Sequence, residues 1–318
     1  MGVTMKKCLL PAVCGAFAVG CLGINGTTRP TPPPQAQQLW PETPTAEQLV
    51  SWMNRATANV SSLESRDLDI DINADGQTIG VSGDLHCQKP HNFRMRAFKP
   101  VVHTQAADFG SNDREFWYWV YETPDLYHCA YTDLARGNVR LPFPLHPDWI
   151  LEALGVSAPA PVGTPEEEQA RGRTFEVRKS ADNRYLHLYE QTMSIQGQPV
   201  TKVTMLNNFT ATGTTPQVVG HYLYDRNSKQ LICSATVTKV QFDARTSTIV
   251  PQKVQLSWPS MKMTLTLTLD KVAVNNPELA SNTKVFSRPH IASARDVDLA
   301  QGAPTMVPTG IQRAGAFR

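Results

Sequence analysis

The stretch 261-MKMTLTLTLD-270 places Met261, Met263, Leu265, Leu267 and Leu269 at alternate positions, with Lys262, Thr264, Thr266, Thr268 and Asp270 between them. Successive side chains of a pleated strand point to opposite faces, so this period of two predicts a strand with one apolar and one polar face. The same period recurs outward from it. Leu68, Ile70 and Ile72 alternate with Asp67, Asp69 and Asp71. Further strands are expected at Phe93/Met95/Ala97, 116-FWYWVY-121, Phe175/Val177, Leu186/Leu188, Val203/Met205 and Val254/Leu256/Trp258. Two segments have a helical period instead. Thr45 with Gln48 reads as a capping box, and Leu49, Trp52, Met53, Ala56, Val60 and Leu63 then follow at helical spacing. A short second helix is expected at 147-PDWILEAL-154, and the Glu166–Glu168 run after it reads as a solvated loop. The order is one helix, about five strands, a short helix and about six more strands. Strands joined by short turns imply an antiparallel meander, and a sheet of that length with so few helices must curl to hide its apolar face. The expected fold is mainly β (α+β): a curled antiparallel sheet forming an incomplete β-barrel, lidded by the N-terminal helix and the short internal helix. Its inside would be lined by Met, Leu, Val and aromatic groups.

The N-terminus predicts processing and anchoring. Lys6 and Lys7 precede an apolar run from Cys8 to Gly20, of signal-peptide length and too short to span a bilayer. The following 18-AVGC-21 resembles a bacterial lipobox, which makes Cys21 the expected lipidation site and first residue of the mature chain. Residues 1–20 are then a lipoprotein signal peptide. Residues 21–44, with 30-PTPPPQAQQ-38, have the composition of an extended tether. Several acyl chains together anchor stably where one binds only reversibly. Leu22, not Asp, follows the cysteine, so the expected location is the cell envelope, on the periplasmic side of the outer membrane. Residues 45–290 form one large domain in this reading. Residues 291–318, rich in Ala, Gly, Pro and Thr without apolar periodicity, are expected to be disordered.

The chain has a formal net charge of +2, and loss of the two signal lysines brings it to zero. Dispersed basic residues on a neutral chain argue against nucleic acid as a partner. Cys87, Cys129 and Cys233 remain after processing. Three cannot all pair and their spacing fits no zinc motif, so they are expected as buried small hydrophobes, with one disulfide possible. The segment 71-DINADG-76 matches the first half of a calcium loop, but Ser82 stands where that loop needs its bidentate Glu. A D-G hairpin turn explains it. His86-Cys87 and His128-Cys129 are adjacent strand pairs whose side chains point to opposite faces, so neither pair chelates an ion alone. No G-x-S-x-G, phosphate-binding loop or H-E-x-x-H is present; 80-GVSG-83 has the wrong spacing. No metal, no cofactor and no enzymatic activity are expected.

The stretch 83-GDLHCQKPHNFRMRAFKP-100 resembles the G-D-L…[KR]-P…F…P segment of the LolA/LolB lipoprotein-carrier family. Similarly, 112-NDREFWYWV-120 resembles that family's turn and aromatic strand, and 274-VNNPELASNTKVFSRP-289 its closing strand and "F…P" ending. The resemblance is spread over about residues 45–289 and implies an incomplete barrel with helices lidding an apolar cavity. Phe93 occupies the family's Phe position. Lys89 stands where carriers often have Arg, offering a point charge in place of a planar fork. Residues around 159–173 are additional to the usual family length. As an anchored chain it looks more like the receptor LolB than the soluble LolA. The ligand-binding candidates are Phe93, Met95, Lys89, Trp117, Trp119, Leu265 and Leu267; ordinary core packing is the alternative for Phe93, Met95, Trp117 and Trp119. Three functions remain in play: binding the acyl chains of a lipoprotein or lipid, binding an envelope protein partner as an interaction or sensor module, or a structural lipoprotein whose cavity is self-filled.

Overall fold

The computed structural model describes residues 37–301, except 122, 137–138, 140–146, 195–196 and 211–215. It begins with α1 (Ala46–Thr57), whose capping box is formed as expected: Thr45 accepts from the Gln48 amide and the Gln48 side chain accepts from the Thr45 amide. The helix ends earlier than its apolar spacing suggests. Val60 and Leu63 lie beyond it and are buried all the same, Leu63 already within the first strand. Burial constrains both residues, so the spacing ran on past the helix end.

Six strands follow: β1 (Ser62–Ala74), β2 (Gln77–Gln88), β3 (Asn92–Phe98), β4 (Gln105–Ser111), β5 (Glu115–Val120) and β6 (Asp125–Ala130). Ala74 pairs with Gln77, leaving Asp75-Gly76 as a two-residue hairpin turn with both φ angles positive, 49° and 80°. That is the turn geometry Asp-Gly favours. Then come α2 (Tyr131–Ala135), α3 (Pro147–Ala153) and α4 (Pro165–Ala170). The last corrects the solvated loop expected at Glu166–Glu168. Thr164 and Glu167 form a second capping box, and Glu168 is buried, accepting from the Gly163 amide and from Arg171.

The second meander is β7 (Thr174–Lys179), β8 (Tyr185–Met193), β9 (Pro199–Asn207), β10 (Val218–Asp225), β11 (Leu231–Asp243), β12 (Thr248–Trp258) and β13 (Met263–Val274). Met261 falls in a 3-10 turn before β13, so the alternating face begins at Met263. After α5 (Pro277–Ser281) the chain adds β14 (Arg295–Asp298). The expected disorder from residue 291 is therefore corrected: β14 pairs in parallel with β6, and Val297 and Leu299 pack with Phe116, Tyr127 and Cys129. A segment laid along a sheet edge needs few apolar residues and no period of its own, which hid it from composition. Residues 302–318 lie outside the described residues.

Among the described residues all fourteen strands form one sheet, ordered β14-β6-β5-β4-β3-β2-β1-β13-β12-β11-β10-β9-β8-β7. The two meanders meet where β1 pairs antiparallel with β13. The outermost strands, β7 and β14, are not neighbours, so the sheet curls without closing into a barrel. Its inner face carries Ile70, Phe93, Met95, Leu256 and Leu267, packed with α3 in one apolar cluster. α1 covers the far end through Leu49, Val50 and Met53 against Leu186, Leu188 and Leu206.

Candidate functional site

The site is read from one row of cross-strand partners on the inner face: Leu265, Leu256, Ala235, His221, Thr204 and Leu188, on β13, β12, β11, β10, β9 and β8. The row is apolar except at His221 and Thr204. Trp149, Ile150, Leu151 and Leu154, from α3 and the residue after it, fill the sheet's middle and are themselves buried. Fully burying one such side chain stabilises by roughly 1.5–3 kcal/mol. Exposing four would cost about as much as the whole stability of a typical domain. α3 is a packed plug.

Beyond the plug the packing opens. A cleft of about 130 Å³ lies between α1, the 152–159 segment and β10–β12. Met53, Val60, Ala153, Pro159, Val237 and Val240 supply apolar walls. His221 lines it too, at 2 % exposure. Its Nδ1 lies 3.2 Å from Thr204 Oγ1 and 4.0 Å from Glu152 Oε2. Glu152 is in turn ion-paired with Lys202 of β9. His221 Nε2 has no hydrogen-bond partner. Burial pushes the imidazole down to about 4, against the pull of Glu152 and with the help of Lys202, so it is neutral at neutral pH.

No protein-family model matches the chain, and no curated protein matches it. Its structure is similar to that of a domain described as an outer membrane lipoprotein-sorting protein from Vibrio parahaemolyticus: TM-score 0.50, 10% identity, 77% of this chain and 100% of that one. The fold is LolA-like. A DUF1329 family protein from Desulfovibrio piger is also similar, with TM-score 0.47, 8% identity and coverage of 76% of this chain and 97% of that one. A LolA superfamily protein from Nitrosomonas europaea has TM-score 0.45, 12% identity and coverage of 77% and 99%.

Within this LolA-like half-barrel the sequence-derived candidates separate into three places. Phe93, Met95 and Leu267 are buried in the cluster that includes α3, with Leu265 packed against it. They are neighbours of the plug and do not line the cleft. Trp117 and Trp119 lie on the other face. In the register Trp117 stands opposite Gly110 and Trp119 opposite Asp108, while Phe116 and Tyr118 follow the inner row of Ser111 and Phe109. Trp117 Nε1 donates to Asp108 Oδ1 at 2.9 Å, and both indoles pack with Leu126, Ile291 and Ala294. Gly110 makes this possible, since a Cβ there would meet the Trp117 ring at 2.2 Å. Lys89 is the third case. Its Nζ donates to the Thr57 carbonyl at 2.8 Å, holding the C-terminal end of α1 by a single bond.

The outer face of β1–β5 is polar, open at Asp69, Asp71 and Ser82 and covered around Glu64, His86 and Asp108. Asp108, fully buried, accepts two bonds from the Arg94 fork and one from Gln105, and Arg94 also donates to the Val285 carbonyl. Arg96 grips Asp84, and His86 sits between Glu64 and Asp84 at 3.8 and 3.7 Å. Cys87 and Cys129 face inward, opposite His86 and His128. All three described thiols, Cys233 included, are buried and free. Burial raises the Cys233 thiol to about 12 and Cys129 to about 11. Among the described residues no group of three or more His, Cys, Asp or Glu is placed to hold a metal ion, and no helix is long and apolar enough to cross a membrane. Cys21 lies outside the described residues. His221 was missed because a lone His in 218-VVGHYLYD-225 has no motif; only the inward register of its strand marks it.

Proposed function

We propose that this chain is a lipid-anchored cell-envelope protein whose half-barrel takes up acyl chains of a lipoprotein or a lipid, as a carrier or an acceptor, by binding and not by catalysis. The observation that carries this reading is the apolar cleft beneath the helices of a LolA-like fold. The lipoprotein-sorting description of the Vibrio parahaemolyticus neighbour and the 18-AVGC-21 lipobox with its tether support it. The cleft's volume is close to that of apolar cavities that hold benzene, and below the 300–1,000 Å³ typical of pockets for drug-sized ligands. As it stands it accommodates the end of one chain, each buried methylene contributing about 0.8 kcal/mol. Deeper insertion displaces α1, which has three buried side chains, and leaves the α3 plug in place.

Solvent extraction and mass spectrometry of the full chain carrying Cys21→Ser test the reading. Co-purified acyl species are expected. A clean extract together with no uptake of a fluorescent fatty acid overturns it. Labelled palmitate tests the anchor separately, with incorporation expected in the natural chain and none after Cys21→Ser.

A second reading has its own observation. Val101 and Val102, at the tip of the β3–β4 hairpin, are 93 % and 63 % exposed, and Val101 is held at φ 71°. A β-branched residue in that region is strained, and the two exposed valines offer apolar surface to a partner. A protein partner docking there makes this an interaction module of the envelope.

A further inference from the structure

His221 is an anomaly in the cleft. A buried polar atom is normally hydrogen-bonded, because leaving it bare forfeits the bond it made with water. Yet Nε2 of a residue 2 % exposed has no partner, and the residue lines the cleft. The surrounding charges are already balanced. Glu152 is ion-paired with Lys202, Thr204 occupies Nδ1, and the imidazole is neutral. Among the described residues, an ionised carboxylate entering this floor would meet the Glu152 carboxylate and no uncommitted cation. An uncharged ester or amide brings a polar atom and no charge.

Building on the acyl-binding reading above, we propose that His221 is a specificity-determining residue, and that the cleft selects acyl chains ending in an uncharged ester or amide over free fatty acids. The apolar walls bind the chain and, in the neutral tautomer in which Thr204 Oγ1 donates to Nδ1, His221 Nε2–H donates to the ester or amide carbonyl oxygen. The Lys202–Glu152 pair keeps the floor electrically neutral, so that an anion is excluded by the desolvation it cannot recover. Specificity then comes from rejection as much as from attraction.

The test is calorimetric binding of methyl octanoate, octanamide and octanoate to the full chain carrying Cys21→Ser, at pH 8 where octanoate is ionised. The expected result is ester and amide binding at least tenfold tighter than the acid. His221→Leu should reduce that preference at least fivefold, with His221→Gln, which keeps an uncharged polar group, retaining most of it. Melting of each variant establishes that it is folded, and Gln carries the comparison if Leu is not. Equal binding of acid and ester, or a preference unchanged in both variants, overturns the selectivity while leaving acyl binding intact. No binding of any of the three by the unsubstituted His221 chain overturns both readings.

Discussion

The inner face is covered twice, and the two covers behave differently. Over β1–β3 and β11–β13, α3 and the residue after it bring Trp149, Ile150, Leu151 and Leu154 down among Phe93, Met95 and Leu267, filling the space. Over β8–β10, α1 lays Leu49, Val50 and Met53 on Leu186, Leu188 and Leu206, and a cleft remains beside them with His221 at its floor. The first cover completes a core. The second leaves room. A curled sheet with an apolar inside is therefore not a cavity throughout, and the depth to which each helix inserts decides where a ligand fits.

The strongest way to break this comparison is Phe93→Ala. If the Phe93 side is core, truncation costs about 3–5 kcal/mol, read from urea unfolding, and the surviving folded protein takes up a fluorescent fatty acid as before. Lost uptake with stability barely changed would reverse the roles of the two regions.

Acid tests the cleft side. His221 titrates at about 4 when folded and near its ordinary value of 6.5 when unfolded. Between those values the unfolded chain binds the extra proton, so stability is full above pH 6.5 and falls by up to about 1.4 kcal/mol per pH unit down to about pH 4. His86, its imidazole also lowered by burial, adds in the same direction. Urea midpoints across this window should decline, and His221→Leu should flatten the decline. A natural protein equally stable at pH 4.5 and 7 contradicts the assignment.

Lys89→Ala removes one charged donor from the end of α1 and should cost about 1 kcal/mol. Hydrogen exchange should quicken in residues 46–57 and not in 147–153; equal loosening of both helices argues that the two covers move together. The smallest effect on stability is expected from Ala56→Leu, an exposed residue lining the cleft. Its melting should stay within about 0.5 kcal/mol while acyl uptake drops, and unchanged uptake places the entrance elsewhere.

Much of this was legible in the sequence, for identifiable reasons. Leu68, Ile70 and Ile72 and the 263–269 run alternate cleanly because one side of each strand is apolar and the other carries Asp or Thr, so the antiparallel sheet could be read directly. The aromatic run 116-FWYWVY-121 could not be assigned to faces. Over Phe116–Trp119 both sides are covered, Phe116 and Tyr118 by α2 and the β14 region and Trp117 and Trp119 by the 291–294 segment, and alternation carries no direction when both faces are apolar. The candidate site was legible only in part. Lys89 meets the end of the N-terminal helix through one bond to the Thr57 carbonyl, a contact the Lys-for-Arg departure in the carrier-like motif did not announce. The displacement of the open space from Phe93 to His221 depends on how far α3 inserts, a tertiary quantity that no local pattern encodes.

The pairing of β1 with β13 sets the order in which this molecule can be completed. Ser61 and Asn275, which hydrogen-bond beside that seam, are 214 residues apart. A chain emerging from the N-terminus can form the β1–β6 meander early, but β1 keeps a bare edge until almost the last strand has been made. Contacts that distant are slow to form, and an unpaired strand edge recruits whatever strand arrives first. While it is being synthesised, the half-finished protein is a sticky object, and truncation before Met263 should fix it in that state as an aggregate.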